Sequence, residues 1–156
     1  MDRRELLGAL GAGAVGLGTL ATGGALAAPA DHEGHEGHDD KAHADCLKAC
    51  GDCAIVCDKT FAHCYTEVAA GKKEHAKSLR LVSDCAGFCS LSACMIAKKS
   101  PLMVYSCMSC AEACKDTAAE VGKFDSPEMQ MAVKTLKACE ASCRAMVASM
   151  KMHHPA

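Results

Sequence analysis

Thirteen cysteines in a chain of 156 residues are the groups here best equipped to do chemistry. Five of them crowd into CLKACGDCAIVCDKTFAHC, where Cys46, Cys50, Cys53, Cys57 and Cys64 are separated by 4, 3, 4 and 7 residues. At about 100° per residue this spacing gathers five sulfurs within an arc of roughly 60° on a helix. A strand does not fit, because its faces alternate with period two and these intervals change parity. The same helical intervals recur at Cys85 and Cys89, at Cys107, Cys110 and Cys114, and at Cys139 and Cys143, and they keep the sulfurs on one side of each helix. Met103 lies one turn ahead of Cys107, and Met146 and Met150 prolong the line from Cys139 and Cys143.

Thiolate and thioether are soft donors that select Cu(I), zinc or iron–sulfur clusters. One or two tetrahedral zinc sites would use far fewer cysteines, and iron–sulfur clusters take loop motifs that continuous helices do not present. Cu(I) accepts few ligands and one thiolate can bridge two ions, so successive thiols along a bore can hold many of them. Each monovalent copper also offsets about one thiolate, whereas divalent ions at that density would leave excess charge in a low-dielectric interior. The reading is therefore multiple Cu(I) ions per chain. Disulfides compete as an explanation for so many cysteines, but the odd count and the nearly parallel Cβ vectors of i,i+4 pairs speak against bridges within a helix; bridges between helices stay open. Two other functions fit less well: a buffer or chaperone carrying one or two copper or zinc ions, and an iron–sulfur or copper redox protein. With no helical HExxH and no phosphate-cradling loop, no enzyme is expected.

Four helices must position these stripes. The first is expected from about Ala42 to Ala70, ending at Gly71, and the second from about Glu74 to Lys98 and Lys99. Ser100-Pro101 and Ser126-Pro127 read as caps followed by a first-turn proline, opening a third helix that runs to Val121 and a fourth that runs to about Lys151. Short connections make neighbours antiparallel, so the fold class is all-α, an up-down-up-down four-helix bundle with a cysteine-lined core. With the connections centred near residues 73, 100 and 124, Cys57, Cys89, Cys110 and Cys139 share one expected layer. Cys53, Cys107 and Cys143 share the next, with Cys94 at the same height, while Cys50 meets Met103 and Met146, and Cys46 lies level with Met150. Cys64, Cys85 and Cys114 form a looser layer on the other side. Beyond it Leu81, Val82, Val121, Met131, Val133 and Leu136 read as a closed apolar end. The opposite end, with Met103, Met146, Met150, Met152, His153 and His154, reads as open.

Composition agrees with a core built on sulfur. Between Cys46 and Met152 there are only 18 Leu, Ile, Val and Phe, about 17 % of that span and below the roughly 20 % of an ordinary globular core. Cysteine, a small soft hydrophobe, is the available filler. A formal net charge of −2 gives no reason to expect a nucleic-acid partner.

The first thirty residues stand apart. Arg3 and Arg4 open a Leu/Gly/Ala run that closes on small residues suited to a signal peptidase, and RRELLG resembles a twin-arginine export signal. The mature chain is thus expected in the periplasm, without membrane attachment. Residues 31–41 form a polar arm which, with His43, carries four histidines (His32, His35, His38 and His43), a composition that can collect metal. The bundle occupies 42–156.

With the helical CxxxC pairs Cys46/Cys50, Cys53/Cys57, Cys85/Cys89, Cys110/Cys114 and Cys139/Cys143, the export signal and the Met/His-rich end, the sequence resembles the exported bacterial copper storage proteins over about Ala42 to His154. The resemblance implies a four-helix bundle, assembly as a homotetramer, Cu(I) on the inward cysteines and uptake through the Met/His end. It makes those five pairs, with Cys64 and Cys107, core ligands. Cys94, at the height of Cys53, Cys107 and Cys143, is counted with the metal ligands, although it departs from the pattern: it follows Cys89 by five residues and turns inward only if the helix bulges. Leu47, Ile55 and Tyr105 are compatible with a subunit interface. A copper chaperone or a copper enzyme would be the exchange partner.

Overall fold

Runs of helix-forming residues, each interrupted where glycine, serine or proline intervenes, give four α-helices in the computed structural model, which describes residues 36–153 and, for side chains, residues 41–150. The helices are α1 (Glu36–Ala69), α2 (Ala76–Ala97), α3 (Met103–Val121) and α4 (Pro127–His153), with one 3-10 turn at Lys73–His75 before α2. Helix α1 starts ahead of the expected Ala42. The export signal, His32, His35 and His154 lie outside the described residues, as do the side chains of His38, Met152 and His153.

Gly71 stops α1 by taking φ +92°, a conformation costly for any residue with a Cβ. Its N–H donates to the Val68 carbonyl (2.9 Å) and the Lys72 N–H to that of Glu67 (3.0 Å), satisfying carbonyls that the helix end would otherwise leave bare. Lys99, with φ +48°, closes α2 in the same way onto Ile96 and Met95. Ser126 caps α4, its Oγ accepting the Met129 N–H at 3.4 Å.

Each helix packs against two neighbours, α1 on α2 and α4, and α3 on α2 and α4. This square antiparallel bundle is the expected architecture. One buried stripe runs down each helix: Cys46, Cys50, Cys53, Cys57, Thr60 and Cys64 on α1; Ser78, Val82, Cys85, Cys89, Ser92 and Ile96 on α2; Met103, Cys107, Cys110, Cys114, Thr117 and Val121 on α3; Met129, Ala132, Leu136, Cys139, Cys143 and Met146 on α4. Sulfur fills the middle and larger apolar side chains stand toward the ends. One step past the thiols, Thr60, Val82, Thr117 and Leu136 form a belt. The Thr60 hydroxyl donates to the Val56 carbonyl at 2.8 Å and the Thr117 hydroxyl to that of Leu81 at 3.4 Å, so neither threonine is left unpaired.

The apolar end differs from expectation at one residue. Met131 is 65 % exposed while Met129 is fully buried, because Met129 stands three residues before Ala132 on the α4 stripe and Met131 stands one.

An ion-pair cluster fastens α2 to α3 at this end. Buried Glu120 receives Lys123 Nζ at 2.7 Å and Lys77 Nζ at 3.0 Å, and these partners, Lys123 first, hold its carboxyl below the ordinary value of 4.5. The folded chain therefore releases this proton more readily than the unfolded one. The stability gained is present above pH about 4.5 and is lost as the pH falls through the folded value. Equilibrium unfolding followed against pH should show a shallower acid limb for Glu120→Gln than for the native chain; superimposable limbs would remove the ion pairs from the stability balance.

Candidate metal centre

Helical spacing aims four stripes at one axis, and the thiols meet there. All thirteen cysteines are free and only Cys94 is exposed. Four groups bring their sulfurs within 4.8 Å of one another: Cys46, Cys107 and Cys143; Cys50, Cys110, Cys139 and Cys143; Cys53, Cys89, Cys114 and Cys139; and Cys53, Cys57 and Cys85. Consecutive groups share a member, Cys143, then Cys139, then Cys53. The eleven thiols thus form one unbroken ladder along the bundle axis.

Individual rungs are close. Sγ of Cys50 lies 3.5 Å from that of Cys143 and 3.9 Å from that of Cys139. Cys89 is 3.6 Å from Cys110 and 3.8 Å from Cys114, and Cys85 is 3.6 Å from Cys114. Cys53 reaches Cys114 across the diagonal at 3.9 Å, which only a bundle with small core side chains permits. A metal–thiolate bond is about 2.3 Å for zinc, so an ion of similar size fits between two sulfurs at these separations.

The electrostatics limit how many of these thiols can ionise together. Burial pushes the Cys64 thiol up, helped by the nearby Glu67 carboxylate. At Cys107 a hydrogen bond with Cys143 favours the thiolate, but the opposing bond to Cys46 and burial outweigh it, and the thiol is pushed up to about 12. Neighbouring thiols hold Cys114 and Cys50 up as well, Cys110 being the chief cause at both. Cys85 and Cys139 are pulled down, chiefly by Cys114 and Cys110 respectively. The ladder shares protons: a few thiols can ionise against neighbours that stay protonated, but all eleven cannot without positive charge between them.

The expected layers are displaced on α1, by one turn at one rung and by two at another. Cys53, not Cys57, stands with Cys89 and Cys139, and Cys46, not Cys53, stands with Cys107 and Cys143. Four residues of this come from the first connection, centred on Gly71 rather than Lys73, because a shift of two residues there moves the register of an antiparallel pair by four. Cys64 does not join Cys85 and Cys114; the Thr60–Thr117 belt separates them, and its sulfur lies 4.0 Å from Met129 Sδ instead. Contrary to its expected place among the ligands, Cys94 points outward, because α2 runs uninterrupted and has no bulge to turn it inward. Its place on the inward stripe is taken by Ser92, fully buried, whose hydroxyl has no partner. Met103 and Met146 are buried beyond the Cys46 rung, and Met150 is half-buried against them.

The sequence profile of the copper storage proteins matches residues 39–148. The chain belongs to the copper storage protein family. Among relatives, the uncharacterised cysteine-rich protein YhjQ of Bacillus subtilis is 33 % identical over 105 residues, 66 % of this chain and 94 % of that one. The Cu(I)-bound copper storage protein BsCsp3 is 30 % identical, with a TM-score of 0.63 over 68 % of this chain and 98 % of its own. Apo copper storage protein 3 from Bacillus subtilis is 31 % identical, with a TM-score of 0.58 over 67 % and 97 %. A Nitrosospira multiformis protein is 29 % identical, with a TM-score of 0.63 over 70 % and 98 %. Matched against these relatives, residues 1–38 lie ahead of the family segment.

Proposed function

We propose that this chain stores Cu(I), many ions at a time, on the ladder of eleven inward thiols. The observation that carries this reading is the sharing of Cys143, Cys139 and Cys53 between consecutive groups, because bridging thiolates let a row of monovalent ions fill the bore without isolated charge. The likeness to Cu(I)-bound BsCsp3 supports it. Storage needs no turnover, and the chain is read as a non-enzyme.

Uptake runs through the end where Met103, Met146 and Met150 stand beyond the Cys46 rung. Neutral thioethers can pass a soft cation inward before a thiol releases its proton. A twin-arginine leader would carry the folded bundle to the periplasm, so that its thiols could be metallated in a reducing compartment first. Leu47, Ile55 (56 % exposed) and Tyr105 (66 % exposed) suit the subunit contacts of a homotetramer, and a copper chaperone or copper enzyme is the exchange partner.

Anaerobic titration of the reduced protein with Cu(I) against a competing chelator, with zinc in parallel, tests the assignment. The expected result is on the order of ten Cu(I) per chain, about one per ladder thiol by charge balance, with ultraviolet thiolate-to-copper bands. Saturation at one or two ions, or a preference for zinc, would replace storage by a buffer or chaperone.

A further inference from the structure

Where α1 gives way to α2 around Gly71, a donor cluster of another kind stands apart from the thiols. His63 and Glu67 lie four residues apart on α1, a spacing that puts both on one face of the helix. His75 comes back to them from the 3-10 turn that precedes α2. Its Nε2 is 3.9 Å from a Glu67 carboxylate oxygen, too far for a hydrogen bond. The His63 and His75 rings are 6.0 Å apart between centroids, with their planes at 76°. His75 is 6 % exposed and stacked on Phe124 at 4.1 Å, and its Nδ1, sealed from water, has no hydrogen-bond partner. A buried imidazole left unbonded is less stable than an apolar ring in the same space, so packing alone does not account for it. Glu67 is partly open to water and is held by Lys72 in an ion pair. That hydrogen bond is the chief cause that keeps the Glu67 carboxyl below its ordinary 4.5, and the charges of His63 and His75 act in the same direction, so both rings stand within its field.

We infer that His63, Glu67 and His75 form a binding site for one Zn2+ ion, which clips α1 to the start of α2 across the Gly71 connection. The site uses no cysteine and does not rest on the storage reading. Metal bonds of about 2.0–2.2 Å to nitrogen and to oxygen span the gap from Nε2 to the carboxylate through a single ion, where a hydrogen bond does not reach. Two imidazoles on a shared ion have centroids about 5–6 Å apart by the same bond lengths, and these two rings already stand close to that separation. Rings set at a steep angle suit a tetrahedron, with water in the fourth position on the side where Glu67 is open; Cu2+ favours tetragonal sites. Two imidazoles and a carboxylate match a borderline divalent ion, whereas Cu(I) prefers the thiolates of the ladder. Lys72 occupies the carboxylate until the ion arrives and then turns to Glu74, whose charge also acts on it.

The test is addition of Zn2+ to the full chain already loaded with Cu(I), so that the ladder thiols do not compete, followed by residue-resolved 15N resonances of the histidine side chains. Nitrogens of His63 and His75 should shift together and saturate at one ion, and the other histidines of the chain report separately. Glu67→Gln, at a partly exposed position, should weaken binding by more than the roughly 10–100-fold lost with an outer partner of a metal ligand. His75→Phe, which keeps the stack on Phe124, should abolish the site and with it the rise in melting temperature that Zn2+ gives the native chain. Lys72→Met should tighten binding by up to about fivefold, the worth of an exposed ion pair. Stationary His63 and His75 resonances at saturating Zn2+, or a Glu67→Gln chain that binds as tightly as the native one, would overturn the site. The same resonances decide the matter in a chain that takes up no Cu(I), so a failure of storage and a failure of this site are read separately.

Discussion

Filling the ladder with Cu(I) is expected to raise the unfolding free energy of this bundle by more than any single substitution can lower it. A ligand that binds only the folded state contributes about 2.7 kcal/mol per site when its free concentration is one hundred times its dissociation constant. Four ions held at that level would contribute about 11 kcal/mol, comparable with the whole stability of a small domain. The most damaging core truncation, Leu136→Ala, should cost about 2–5 kcal/mol. The apo bundle has a thin aliphatic core to set against chain entropy, and eleven thiols that contribute less transfer energy than leucines would. pH sets the size of the gain. Thiols held up by burial and by their neighbours, such as Cys107 at about 12, are protonated near neutrality, so each must give up a proton to bind metal. Affinity therefore falls as pH falls, about tenfold per unit for each proton displaced, and the stabilisation falls with it. Calorimetric melting of apo and loaded protein at two pH values a unit apart would measure both effects. Equal melting temperatures for the two forms would sink the coupling of metal to folding.

Much of this was legible in the sequence because thiols at intervals of three and four specify both a helix and the face it turns inward, and because Gly71, Ser100-Pro101 and Ser126-Pro127 separate the helices. The fold class and the inward stripes follow from that spacing, and the five-residue step from Cys89 to Cys94 carried the warning that Cys94 would turn outward. Absolute register did not. The first connection turns on Gly71, and the 3-10 turn at Lys73–His75 belongs to the start of α2, which moves the α1 layers by a turn or more. Residue type concealed the rest. Thr60, Thr117, Ser78 and Ser92 occupy stripe positions, yet serine and threonine read as surface residues when scanned for hydrophobicity. Continuing the three-and-four spacing from Cys57, Cys114 and Cys89 would have found them. His75 gave no periodic signal ahead of α2, and its burial with an unpartnered Nδ1 shows only in the folded chain. The choice of Met129 over Met131 depended on counting back along the α4 stripe from Cys139 through Leu136.

Single-thiol deletions should lower copper capacity unequally, in an order set by how many groups each thiol serves. Cys139 belongs to both four-membered groups, whereas Cys57 belongs only to a terminal three-membered one and Cys94 to none. In Cys139→Ala both central groups keep three thiols, but the bridge between them is gone. The two ions it shared then carry one thiolate charge fewer in a buried site, where an uncompensated cation is expensive. The expected loss is about two Cu(I) per chain for Cys139→Ala, because both ions it bridged lose a ligand, about one for Cys57→Ala and none for Cys94→Ala. Removing one buried sulfur should cost the apo fold only about 1–2 kcal/mol, as for other small truncations, so melting of the apo variants separates lost capacity from lost structure. Equal losses for Cys139 and Cys57 would mean independent pockets in place of a shared ladder. The reverse substitution tests the same geometry. Ser92 holds the α2 corner one step from Cys89 toward the Cys46 rung, as Cys107 does from Cys110 on α3, and its hydroxyl has no partner. Ser92→Cys should therefore raise capacity by about one ion, because it supplies both a donor and the negative charge that another monovalent cation requires. No gain would place this corner beyond the reach of the ladder.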